Sequence, residues 1–238
     1  MAGGVRHEGV LDAVRVGGLR ALAPEGQPTG IHKESVAGPV RVGVLGLAGD
    51  RVGDPTVHGG PDKAVHLFPS DHYPVLAARR PELADRLVPG VLGENLCVRG
   101  LDETGVCLGD IWAAGTVLLQ VTQPRRPCWK IDHRLATSGM VPLINELHRT
   151  GWYFRVVREG ALAAGDDLAL VERPAPGLTL RGLLESFQAH RPDPDALRLY
   201  AAAPGLPPAW VDRLLRRAAW LDAVGAGELA GRRPDQLS

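Results

Sequence analysis

Gly115-Thr-Val-Leu-Leu-Gln-Val-Thr-Gln-Pro-Arg-Arg-Pro-Cys-Trp-Lys-Ile-Asp132 changes character halfway along. Its first half is apolar and β-branched, the composition of a buried strand. Pro124 and Pro127 then stop it, since each lacks the N–H a ladder needs and restrains the residue before it. Cys128 is thereby delivered at the mouth of a strand, beside Arg125, Arg126 and Lys130. Positive charge near a thiol favours the thiolate, the form that acts as nucleophile or metal ligand. A small half-buried apolar residue is the plainer reading of a single cysteine. The proline frame and the basic neighbours are the argument for chemistry.

Outward from this stretch the chain reads as β first and helical last. Apolar alternation predicts strands over 9–18, 31–36, 40–47, 64–68, 106–108, 111–113, 116–122, 152–157 and 167–171, with a long polar loop over 48–63 and a loop and strand over 89–98. Ser70 or Asp71 is the expected cap of a helix that runs to Arg80, where Pro81 stops it, and 140–149 reads as a second helix. Many short strands with helices interspersed predict a mainly β fold with helices, barrel-like rather than doubly wound. Pro174 and Pro176 mark a boundary. Beyond it, 178–189, 194–202 and 208–221 carry helical apolar stripes. The expected division is a β-barrel domain over 1–173, a three-helix extension over 178–222 and a flexible tail over 223–238. Arg213, Arg216 and Arg217 read as a solvated helix face.

Composition limits the function classes. Of 238 residues, 45% are hydrophobic and 23% charged, enough to build an ample core. Lys and Arg balance Asp and Glu at 27 each, which predicts no general pull towards nucleic acid or membrane. Three cysteines, at 97, 107 and 128, argue against a disulfide framework and for a reducing compartment. No leader or membrane span is recognisable, so a cytoplasmic location is expected.

A second constellation is Gly49-Asp-Arg-Val-Gly-Asp-Pro-Thr-Val-His-Gly-Gly-Pro-Asp-Lys-Ala-Val65. Gly59 and Gly60 allow a tight turn whose N–H groups can cradle an anion, with Lys63 as a mobile charge nearby. His58 and Asp62 are candidates to orient the loop or a ligand. A tight surface turn with a solvated lysine accounts for the same residues. The third piece is Gly90-Val-Leu-Gly-Glu-Asn-Leu96, where Glu94 and Asn95 offer polar contacts and an ordinary loop is the alternative. The eight histidines are scattered and make no zinc motif.

Together these pieces resemble the MOSC domain, the fold shared with the C-terminal part of molybdenum-cofactor sulfurases. The branch they resemble is the stand-alone bacterial one with a C-terminal three-helix (3-alpha) extension. The resemblance rests on Gly49-Asp50, Asp54, His58-Gly-Gly-Pro-Asp-Lys-Ala-Val65, Gly93-Glu-Asn-Leu96, Gly109-Asp110, Gln123-Pro-Arg125, Pro127-Cys128 and Gly151-Trp152 through Asp166. It implies a β-barrel that binds the molybdenum cofactor (molybdopterin), with the Cys128 thiolate on the metal. A soft sulfur ligand suits molybdenum. The implied chemistry is oxygen-atom transfer from N-hydroxylated compounds: hydroxylamines, amidoximes and N-hydroxypurine-type bases. His58, Gly59, Gly60, Asp62, Lys63, Glu94, Asn95, Arg125 and Arg126 are the residues expected to hold the cofactor.

Three cysteines cannot supply the four ligands of an iron–sulfur cluster, so electrons are expected from a separate flavin or iron–sulfur reductase. No pyridoxal-phosphate domain is present, so the chain is not itself a sulfurase. Two other readings stand beside the reductase. One is a carrier of molybdenum cofactor or of a Cys128 persulfide; the other is a cofactor-free thiol enzyme. The C-terminal helices are open to three roles: reductase binding, a homodimer contact, or capping the barrel.

Overall fold

The computed structural model describes residues 8–22 and 26–225. Its strands are β1 (Glu8–Val16), β2 (Arg20–Ala21), β3 (Pro28–Thr29), β4 (Glu34–Ser35), β5 (Val40–Gly43), β6 (Gly46–Leu47) and β7 (Val65–Pro69). There follow β8 (Leu96–Arg99), β9 (Ile111–Ala114), β10 (Val117–Pro124), β11 (Trp152–Arg158), β12 (Gly160–Leu162) and β13 (Asp167–Glu172). The helices are α1 (Pro55–His58), α2 (His72–Arg79), α3 (Lys130–Arg134), α4 (Met140–Glu146), α5 (Leu180–Gln188), α6 (Pro194–Ala201) and α7 (Pro208–Gly225).

Seven strands close into a barrel in the order β13-β9-β10-β11-β7-β8-β1, and β1 pairs back onto β13 with Gly9 opposite Leu168. Closure leaves those strands no unpaired edge. All pairings are antiparallel except β7 with β8, which run parallel because α2 crosses over between them. Inward positions of the alternating strands fill the barrel: Leu11, Val14, Leu67, Trp112, Leu119, Val121, Trp152 and Phe154 are all buried. Burial of one such side chain stabilises by roughly 1.5–3 kcal/mol. A second core beneath α2, α3 and α4 joins Phe68, Leu76, Leu92, Ile131 and Ile144.

The C-terminal helices add to the barrel core rather than building their own. Leu180, Leu183, Leu197, Trp210 and Leu214 belong to the same buried cluster as Trp112 and Val121. Thr179 caps α5 by accepting from Gly182 N at 3.0 Å. The last helix runs to Gly225, three residues past the expected boundary; the tail beyond it lies outside the described residues. No described helix is long and apolar enough to cross a membrane.

Six local expectations are corrected. Of 106–108, only Cys107 pairs, in a single bridge with Thr179. Asp71 does not cap α2, because its carboxylate accepts from Gly100 N at 2.9 Å instead. The run 40–47 is a hairpin rather than one bent strand, and only Glu34–Ser35 of 31–36 is strand. The loop over 48–63 contains the short helix α1. Arg217 is not a free surface charge: it donates to the carbonyls of Phe187 and Ala189 at the end of α5.

Candidate active site

Cys128 sits where β10 turns into α3. Arg125 N donates to Gly151 O at 3.0 Å, extending the β10–β11 ladder by one rung before Pro127 ends it. Ile131 N then donates to Cys128 O at 3.0 Å, which opens the helix. The thiol is thus fixed at a strand-to-helix junction, half-buried, whereas Cys97 and Cys107 are buried.

A cleft opens over Cys128. His58, Lys63, Asn95, Arg125 and Cys128 line it, gathered from segments far apart in the chain. An outer compartment continues from it past His58, Lys63, Cys128 and Tyr153 to Arg126. Among the residues expected at the cofactor, Gly59, Gly60, Asp62 and Glu94 line neither compartment.

The four have structural tasks. Gly60 has φ +94°, the left-handed backbone that starts the Pro61–Lys63 turn, and its carbonyl accepts from Lys63 N. Gly59 packs against Pro55 of α1. Asp62 is gripped by Arg155. Glu94 is fully buried behind the cleft, accepting from the Tyr73 hydroxyl at 2.5 Å and from Gly90 N. Its neighbour Gly93 does reach the cleft; a Cβ there would lie 2.8 Å from Ile31 Cγ1.

Asn95 works from below. Its amide nitrogen donates to Asp50 at 2.9 Å and to Arg15 O at 3.2 Å, while its oxygen accepts from His66 N at 3.1 Å. Asp50 in turn pairs with Lys33, both nearly enclosed. Burial pulls the Lys33 ammonium below the usual lysine value, against the opposing pull of Asp50.

Three further cleft residues, Lys33, His66 and Tyr153, were not singled out from sequence. His66 stands alone in an otherwise apolar strand, and that isolation was the available signal. Burial first, then the Arg125 charge, holds its imidazole well below the ordinary histidine range. The ring is therefore neutral at pH 7, and its Nε2 has no hydrogen-bond partner. Tyr153 lies 5.1 Å from it, ring centre to ring centre. Burial raises the Tyr153 phenol, which also hydrogen-bonds with Arg125. Arg125 is buried, yet its Nη1 has no partner. His58 is depressed by burial, then by Lys130, Arg125 and Lys63.

An orphaned buried guanidinium nitrogen marks a site built for an absent acceptor. Among the described residues, no three His, Cys, Asp or Glu side chains group to hold a bare metal ion. A single thiol facing a cationic cleft therefore suits a metal that arrives with its own anionic organic ligand. The fold and this site define a class: a closed β-barrel with one accessible thiol in a basic cleft.

Comparison with known proteins gives that class its family. The MOSC domain matches residues 54–169, and the chain belongs to the MOSC domain family. It is 36% identical over 194 residues to Protein YiiM of Escherichia coli, covering 82% of this chain and 86% of that one. The crystal structure of YiiM from Geobacillus stearothermophilus superposes with a TM-score of 0.75 at 31% identity, over 88% of this chain and 99% of that one. A protein named Reductase from Gibberella moniliformis is 38% identical over 170 residues. That match spans 71% of this chain but only 30% of the fungal protein.

Proposed function

We propose that the protein is a molybdenum-cofactor-dependent reductase of N-hydroxylated compounds, receiving electrons from a separate flavin or iron–sulfur protein. The observation that carries this reading is the pairing of one accessible thiol with an unsatisfied buried arginine in the same cleft. Family membership and the resemblance to a protein named Reductase support it.

When bound, the cofactor supplies two-electron oxygen-atom transfer. The Cys128 thiolate would ligate the metal, and Lys33 and the free Nη1 of Arg125 would hold the anionic end of the pterin. Asn95 keeps Asp50 against Lys33, so it positions rather than binds. The reaction balances as R–NH–OH plus two electrons and two protons, giving R–NH2 and water. Tyr153 keeps its proton because burial raises its phenol, so its Oη can donate a hydrogen bond to the substrate's N–O group and orient it.

The test is reduction of a benzamidoxime-type compound by protein loaded in a cofactor-competent host, with a reduced viologen as donor. Amidine should form in wild type, and its rate should fall at least a hundredfold in Cys128→Ala. Stoichiometric metal with no turnover would overturn the reductase in favour of a carrier.

A further inference from the structure

The outer compartment is more basic than a reductase of neutral bases requires. It is lined by His58, Lys63, Gln123, Arg126, Cys128 and Tyr153, and it shares the thiol with the inner cleft. Arg126 is exposed, and the Lys63 ammonium donates to the Val57 carbonyl at 2.5 Å. The carboxylate of Asp62 beside Lys63 is already committed to Arg155. Burial and then the Arg126 charge lower the Lys63 ammonium, against the opposing pull of Asp62.

Like charges that converge in a concavity raise the energy of the empty site, and a bound anion relieves it. Arginine and lysine lining a concavity suit a phosphoryl group, whose several oxygens accept from both. The inner cleft has the unpartnered Nη1 of Arg125, whereas Arg126 lines only the outer compartment. The cations also line a hollow that ends on the thiol, which fits a small molecule reaching inward better than a flat protein surface.

We propose that the outer compartment, with Lys63 and Arg126 on its wall, binds the phosphate of an N-hydroxylated nucleotide. The protein then prefers a phosphorylated base to the free base or nucleoside. This rests on the reductase reading and adds the substrate's charge and class to it.

The experiment compares an N-hydroxylated purine nucleoside with its 5′-monophosphate on the holoenzyme. It runs beside calorimetric binding of adenosine and adenosine 5′-monophosphate to the same protein. The monophosphate should show about tenfold higher kcat/KM, and the plain nucleotide should bind about tenfold more tightly than adenosine. Arg126→Gln should bring both ratios down towards one. Added inorganic phosphate should compete with the nucleotide. Equal kcat/KM for the two substrates would overturn the phosphate site while leaving the reductase standing. If neither compound is reduced, the reductase reading falls, and equal binding of the two adenosine compounds then overturns the site as well. A variant that keeps the ratios but slows turnover with a protein electron donor would overturn it in favour of donor docking.

Discussion

Arg155 donates to one carboxylate oxygen of Asp62 from both Nε, at 2.9 Å, and Nη2, at 2.5 Å. The same Nη2 reaches Gly205 O at 3.3 Å, in the loop between α6 and α7. A barrel strand thereby ties the turn carrying Lys63 to the C-terminal helices. Arg155→Met should loosen that turn. Because the pair is about a third exposed, the stability cost should be modest, about 1 kcal/mol in urea unfolding. Cofactor retention should fall more clearly than stability, and unchanged molybdenum content would argue against the coupling.

Buried thiols and the site thiol should separate by reactivity. Cys97 and Cys107 are enclosed, and burial raises both thiols, with Glu94 adding to the effect at Cys97. Iodoacetamide on the folded apoprotein should therefore label Cys128 alone, and all three cysteines after unfolding. Mass spectrometry reads this directly, and native labelling at Cys97 would contradict the packing described.

Tyr73 and Glu94 form a buried pair behind the cleft. Tyr73→Phe removes a donor from a carboxylate that has no access to water, so it should destabilise by roughly 1–3 kcal/mol. Pterin content should be unchanged, since neither residue lines the cleft. Pterin loss without destabilisation would return Glu94 to the binding set.

Stability should fall on acidification below the ordinary histidine pKa. His66, His58, His32 and His148 are all depressed in the folded state, chiefly by burial. Below pH 6.5 the unfolded chain therefore binds more protons than the folded one, and stability drops as pH falls. His66→Gln should flatten the profile of unfolding free energy against pH between 6.5 and 5. An unaltered slope would show that the His66 imidazole does not stay neutral.

Much of the fold was legible in the sequence because period and punctuation agreed. The alternation in 9–18 and the apolar run before Pro124 correspond to β1 and β10, two staves of the closed barrel. The α5 to α7 stripes do meet a core, the barrel's own. What failed was long-range polar pairing. Asp71 looked like a cap, but folding brings Gly100 N to its carboxylate. Glu94 and Asp62 looked like ligand-binding groups, yet Tyr73 and Arg155, distant in sequence, claim them. Lys33 carried no local motif and Tyr153 lay in a matched run without a site role, and both became site residues only when β-strands and loops converged.

The central claim is that the cleft over Cys128 holds a molybdenum cofactor through that thiol. Elemental molybdenum, released pterin and the X-ray absorption sulfur count should be measured on wild type and Cys128→Ala from a cofactor-competent host. The account predicts about one molybdenum per chain in wild type, and one fewer sulfur ligand in the variant with pterin retained. Wild-type protein carrying neither metal nor pterin under those conditions would contradict it.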